Sequence, residues 1–192
     1  MSAALAAADL DEFVVLAGRL ADASGAVARR YFRTAVAVDE KSDRSPVTIA
    51  DREAEHAIRA MIAAAYPAHG VIGEEHGNQG LRAGGGAGWV WAIDPIDGTK
   101  SFISGRPLFG TLIALCRDGK PVVGVIDAPM LGERWVGAAG RATLHQGKPV
   151  GVRACPSLDK ATLCTTSPQM FSPEEWTRFE RVRQAAKIPL YG

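Results

Sequence analysis

Asp94 and Asp97 stand three residues apart in the run W-V-W-A-I-D-P-I-D-G-T-K-S-F-I-S-G, Trp89–Gly105, with Pro95 between them and Gly98-Thr99 directly after. Two carboxylates, a rigid turn, a permissive glycine and a hydroxyl at the end of an apolar segment are the parts of a divalent-metal and phosphate site. Hard cations such as Mg²⁺ take oxygen ligands and keep positions open for water and a substrate phosphate. Pro95 restricts Asp94 to an extended conformation and presets the turn, so both side chains can converge at low entropic cost. Gly98 lets an anion approach the backbone closely. Asp, Pro and Gly are also ordinary turn residues, so this run alone does not separate a metal site from a simple turn after a strand.

Two further acidic features lie upstream. Thr48 is a good N-cap, and Asp51, three positions on, completes a capping box with Asp in place of Glu or Gln. Asp51 then reads either as an acid favoured by the helix dipole or as a carboxylate turned toward the site. Glu74 and Glu75 close the segment G-V-I-G-E-E-H-G, Gly70–Gly77. On a strand, adjacent side chains point to opposite faces, so only one of the two could look into a given site. Lys41 and Asp43 fall in a polar loop before Ser45-Pro46.

The elements that must position these residues follow from periodicity. Residues 4–33 are alanine-rich, with apolar positions at Leu10, Phe13, Val14, Ala17, Leu20, Val27 and Tyr31 at helical spacing, and Ser24-Gly25 as a point where the helix could bend. Thr48–Ala65 predicts a second helix, with Ala54, Ala57, Ile58, Met61, Ile62 and Ala65 as its stripe. Trp89–Ile93 predicts a buried strand that Pro95 ends, because proline has no N–H for a ladder. Leu108–Arg117 and Lys120–Asp127 form a hairpin about Asp118-Gly119. Short strands are expected at Glu133–Ala138, Ala142–His145, Pro149–Arg153 and Ala161–Thr166. A helix follows, capped by Ser172 with Pro173 at its first position, and a strand starts at Ile188–Tyr191. Asn78–Gly88 is glycine-rich and reads as a surface loop. The fold class is therefore layered α/β or α+β, with an N-terminal lobe over 1–150 that carries the site and the start of a second α/β lobe over 151–192.

Composition narrows the function classes. The 192 residues carry 22 Lys and Arg against 21 Asp and Glu, a net charge of +1, so nothing points to nucleic acid or a membrane surface. Cys116, Cys155 and Cys164 are widely spaced, which suggests neither a disulfide framework nor a zinc site and fits a reducing cytoplasm. The N-terminal stretch lacks a basic region and is a poor signal peptide. No apolar run reaches the about 18 residues that a membrane span needs.

Three motifs in order, S-P-V-T-I-A-D at Ser45–Asp51, I-G-E-E-H-G at Ile72–Gly77 and W-A-I-D-P-I-D-G-T at Trp91–Thr99, resemble those of the inositol monophosphatase family, the lithium-sensitive, Mg²⁺-dependent phosphatases. The hairpin F-G-T-L-I-A-L…G-K-P-V-V-G-V-I-D-A-P fits as well, and the resemblance covers nearly the whole chain. It implies a sugar-phosphatase-like fold and a phosphomonoesterase using two or three Mg²⁺ ions and a metal-activated water. Glu74, Asp94, Asp97 and the Ile96 carbonyl would be metal ligands. Glu74, Asp97, Gly98 and Thr99 would contact the substrate, with the backbone N–H groups of Gly98 and Thr99 holding the phosphate. Asp51 and Thr99, with Glu74, would act on the water. Glu75 would lie outside the ligand set, and Lys41 would belong to a flexible loop near the metals. The resemblance also implies a homodimer acting on a small phosphorylated metabolite.

K-S-D-R-S-P-V-T and S-F-I-S-G look most like the bacterial histidinol-phosphatase branch, which makes L-histidinol phosphate the lead substrate. Inositol 1-phosphate is the runner-up, and a 3′-nucleotide phosphate a distant third. A haloacid-dehalogenase-type aspartyl nucleophile needs D-x-D-G-T. Here Pro95 stands two before Asp97, so that spacing fails. Family members continue past the position of Gly192 and carry a later metal-ligand Asp in a W-D or Y-D pair. Asp159 lies in no matching motif. The alternative of another class is thus a shortened, non-catalytic metal-binding remnant with exposed apolar surface.

Overall fold

A computed structural model describes residues 7–40, 46–81 and 88–191. The loop positions Lys41, Asp43 and Ser45 and the Gly84–Gly86 tract lie outside the described residues. The chain divides into two compact units at Val150/Gly151.

The first unit begins with α1, Ala7–Tyr31, which carries Asp9 in its first turn and Arg29 and Arg30 in its last, as the macrodipole favours. The helix runs unbroken through Ser24-Gly25, the point where it could have bent. Gly25 serves close packing there: a Cβ would come within 3.1 Å of the Pro129 Cβ and 3.2 Å of Arg29 Nη1. A short antiparallel pair, β1 (Val38–Glu40) and β2 (Pro46–Thr48), leads into α2, Ile49–Ala65. Eight strands then form one sheet. They are β3 (Gly70–Gly73), β4 (Gly77–Gln79), β5 (Trp89–Asp97), β6 (Gly110–Arg117), β7 (Lys120–Ala128), β8 (Glu133–Ala138), β9 (Leu144–His145) and β10 (Lys148–Pro149), in the spatial order β10-β9-β8-β7-β6-β5-β3-β4. A short helix α3, Thr99–Ile103, follows β5. The β6–β7 hairpin turns at Asp118 and Gly119 with φ of 54° and 75°, the two positive angles of a type I′ turn.

Three expectations need correction. First, β5 does not end at Ile93 but passes through Pro95 to Asp97. Proline is tolerated there because the pairing with β6 slips between Asp94 and Asp97, so no ladder N–H is required of it. Second, Asn78 and Gln79 are not loop: with Gly77 they form an edge strand on β3, exposed and without apolar alternation to announce it. Third, Pro149–Arg153 is not a strand: only Lys148 and Pro149 pair, with β9, and residues 151–153 have no ladder.

α1 and α2 cover one face of the sheet. Leu16, Leu20, Ile58 and Ile62 pack there against Trp91, Ile93, Ile113, Leu115, Val123 and Val125. Trp91 is fully buried and donates its indole N–H to His69 Nδ1 at 3.2 Å, so no polar atom is stranded. The other face is apolar but open. Ile72, Ala92, Leu112, Ile126 and Trp135 line a groove of about 700 Å³ on it, with Ile72 42% and Ile126 53% exposed.

The second unit is a β–α–β segment. β11 (Thr162–Thr165) pairs in parallel with β12 (Ile188–Tyr191), joined through α4, Pro173–Ala185. Ser172 caps α4 in a reciprocal capping box with Glu175, and Phe171, Trp176 and Phe179 cluster around its first turns.

Leu20 is 0% exposed whereas Val15, on the same helix, is 62% exposed. Leu20→Ala should cost about 2–5 kcal/mol by leaving a cavity, and Val15→Ala should stay within about 0.5 kcal/mol. Urea unfolding of both variants checks this, and equal losses would contradict the packing of α1 on the sheet.

Candidate metal and phosphate site

The site is built at the end of β5. In a regular strand, residues three apart face opposite ways. Asp94 pairs with Leu112 and Asp97 with Gly110, so Pro95 and Ile96 together stand opposite the single residue Thr111. This bulge adds one residue to β5 and returns Asp97 to the face of Asp94. Leu112 and Gly110 are two apart on β6 and share a face, and their partners therefore do too.

Glu74 comes to the same place from the neighbouring strand. β3 runs parallel to β5 with Gly73 opposite Ile93, and the chain then turns at Glu74–His76. Glu74 and Glu75 thus sit in a turn and not on a strand, so strand alternation does not decide between them. The turn is held from below by Glu55 of α2, whose side chain is fully buried. Glu55 Oε2 accepts the Glu75 N–H at 2.7 Å, Oε1 accepts the His76 N–H at 3.0 Å, and Arg59 Nε donates to Oε1 at 2.8 Å. Arg59 also reaches the Gly77 carbonyl. Gly73 is required here, because a Cβ would overlap the Glu55 carboxylate.

Burial first, and then the Glu74 and Asp97 carboxyls, push Asp94 up to about 7, against the Ile96 N–H that favours its charged form. The structure therefore brings Glu74, Asp94 and Asp97 into electrostatic contact, with Glu74 and Asp94 hydrogen-bonded to each other. As placed, no set of three His, Cys, Asp or Glu among the described residues forms a metal-ligating group.

Beside the carboxylates, Gly98 adopts φ of +99° and caps α3, and a Cβ there would lie 3.2 Å from the Leu108 carbonyl. The left-handed angle and the close backbone both call for glycine. Thr99 opens α3. Its hydroxyl lies 3.4 Å from Asp51 Oδ1 and 3.3 Å from the Ile96 carbonyl, and one proton can serve only one of them at a time. Asp51 is 2% exposed, and its other oxygen, Oδ2, accepts from Thr48 N at 2.8 Å and Thr48 Oγ1 at 2.6 Å. The Asp51 carboxylate is thus divided: Oδ2 closes the capping box, and Oδ1 lies toward the Thr99 hydroxyl. The Ile96 side chain is buried among Ala28, Ala50, Phe102 and Phe109, which fixes the turn that presents its carbonyl.

Sequence reasoning missed Glu55, Ser24 and Thr111, which hold the backbone of the site. Ser24 and Thr111 are both 0% exposed, and both reach the Pro95 carbonyl. The available signal was positional: Ser24 continues the α1 stripe through Phe13, Ala17 and Leu20, and Glu55 lies between the stripe residues Asp51, Ile58 and Ile62.

A layered α/β chain with a glycine-capped turn and clustered carboxylates at the end of a bulged strand belongs to the inositol monophosphatase family, whose model matches residues 9–183. A chloroplastic bifunctional phosphatase of Arabidopsis thaliana is 50% identical over 184 residues, covering 96% of this chain and 53% of that protein. The histidinol-phosphatase of Mycobacterium tuberculosis is 39% identical over 160 residues, covering 80% of this chain and 60% of that protein. Among solved structures, an inositol monophosphatase from Zymomonas mobilis superposes with a TM-score of 0.83 at 41% identity, covering 98% of this chain and 70% of that one. The chain spans 53% and 60% of the length of these two curated relatives. None of the described helices is long and apolar enough to cross a membrane.

Burial pushes the Glu55 carboxyl up, but the Glu75 N–H, Arg59 and the His76 N–H together outweigh it and hold it below the ordinary carboxylate value. A carboxyl held down in the folded state contributes stability that is complete above its unfolded value of about 4.3 and is lost as pH falls through the folded value. Glu55→Gln should therefore be less stable by about 3 kcal/mol at pH 7, with the gap narrowing as pH falls below the ordinary carboxylate range. Urea unfolding across that range is the measurement, and a gap independent of pH would show that the charge is not what holds the turn.

Proposed function

We propose that the chain carries the catalytic centre of a Mg²⁺-dependent phosphomonoesterase whose lead substrate is L-histidinol phosphate. The observation that supports this reading is that Asp94 and Asp97 share one face at the end of β5, with Glu74 hydrogen-bonded to Asp94. Crowded carboxylates repel, and a hard divalent cation with oxygen ligands is the partner that suits them. When bound, Mg²⁺ would neutralise the phosphate dianion and lower the pKa of a water.

In this scheme Glu74, Asp94, Asp97 and the Ile96 carbonyl hold the cations, and Asp94 gives up the proton that it shares with Glu74. The Asp51–Thr99 pair faces the same end of the strand, where the Thr99 hydroxyl orients the attacking water and Asp51 Oδ1 accepts a proton through it. In this scheme the backbone N–H groups of Gly98 and Thr99 take phosphate oxygens, with Gly98 admitting the anion to the backbone. No covalent phosphoenzyme is required.

The curated relatives named histidinol-phosphatase support histidinol phosphate, and the likeness to the Zymomonas mobilis inositol monophosphatase supports inositol 1-phosphate as the second reading. A homodimer and a cytoplasmic setting are part of the proposal, from the family resemblance and the unpaired cysteines.

The test is phosphate release from each ester with Mg²⁺, with and without a chelator. Histidinol phosphate should be preferred, the chelator should abolish turnover, and Asp94→Asn should lower kcat/KM by at least about 100-fold. Release from neither ester would overturn the enzyme reading in favour of a non-catalytic metal-binding protein, and full activity in Asp94→Asn would overturn the site.

A further inference from the structure

The bulge at Pro95–Ile96 leaves the Pro95 carbonyl outside the regular β5–β6 ladder and buried. Two hydroxyls meet it from different elements. Thr111 Oγ1, on β6, donates to it at 2.8 Å. Ser24 Oγ, on α1, lies 3.2 Å from the carbonyl and 3.0 Å from Thr111 Oγ1. Each hydroxyl has one proton, so only two of the three contacts can be hydrogen bonds at one moment. The two shorter ones make a relay in which Ser24 donates to Thr111 and Thr111 donates to Pro95. Relayed hydrogen bonds polarise one another in a dry interior.

A buried carbonyl stripped of its donors costs more than an average hydrogen bond contributes. The way to relieve it is to let the bulge slide, and a slip of one residue would put Asp97 on the face opposite Asp94. We propose that the Ser24–Thr111 pair is a positioning clamp that locks the Pro95–Ile96 bulge and so keeps Asp94 and Asp97 together for a shared divalent cation. The clamp rests on the reading of these two acids as metal ligands. Neither hydroxyl touches the cation or the substrate in this scheme: both act through the backbone.

Thr111→Val removes the donor at nearly constant volume, and Thr111→Ser keeps it. Calorimetric titration of Mg²⁺ into each variant should show binding weakened by about tenfold or more for Thr111→Val and close to native for Thr111→Ser. Ser24→Ala, which leaves the Thr111–Pro95 bond in place, should weaken binding by about threefold, and it carries the test if Thr111→Val does not fold. Amide hydrogen exchange without metal should quicken at residues 96–98 in Thr111→Val and return in Thr111→Ser. Native exchange at 96–98 in a folded Thr111→Val overturns the clamp, as does quickened exchange with native Mg²⁺ affinity. If even the unaltered chain binds no Mg²⁺ while exchange responds as described, the metal reading fails and the clamp on the bulge stands.

Discussion

Side chains along a strand alternate between faces, and the whole arrangement around β5 answers that constraint. Carboxylates at positions 94 and 97 can share a face only if one extra residue is inserted between them. The insertion removes a carbonyl from the ladder, a buried carbonyl needs a donor, and the donor is Thr111 beside it, backed by Ser24 across the layer. Proline fits because the position asks nothing of an N–H. Glycine follows because the chain leaves the bulge through a left-handed angle hard against Leu108 and Phe109. The order D-P-I-D-G-T is thus the local solution to one geometric problem.

Around that strand, polar groups that hold the fold also aim the site. Asp51 uses one oxygen to close the first turn of α2 and turns the other toward Thr99. Glu55 is buried charge, costly unless its lone pairs are filled, and Arg59 and two backbone N–H groups fill them. The same bonds fix the turn that carries Glu74. Helix α2 therefore contributes to both the Glu74 turn and the Thr99 hydroxyl, and its docking on the sheet sets their separation.

Much of this was legible in the sequence. Both long helices, the β6–β7 hairpin and the capped α4 follow from apolar period, Asp118-Gly119 and Ser172-Pro173, because these signals are local. The motifs at Asp51, Glu74 and Trp91–Thr99 were legible because each is a short local run. What stayed hidden was non-local. A bulge leaves no mark on alternation, so β5 was cut short at its proline. Ser24 reads as a weak helix residue until its partner, 71 positions away, is known. Glu55 falls on the buried stripe of α2, but nothing local reveals the two N–H groups waiting above it. Gly77–Gln79 is polar throughout and pairs only because β3 offers an edge.

The contacts of Ser24 have a further consequence, in the order of assembly. The β6–β7 hairpin closes across a two-residue turn, and β5 joins it through a short connection, so these pieces can form early at small entropic cost. The hydroxyl bonds from α1 to Pro95 and Thr111 span 71 and 87 residues and close only when the first helix docks on a sheet made much later in the chain. The strand that carries Asp94 and Asp97 can therefore pair with β6, and its bulge be held by Thr111 alone, before Ser24 completes the clamp.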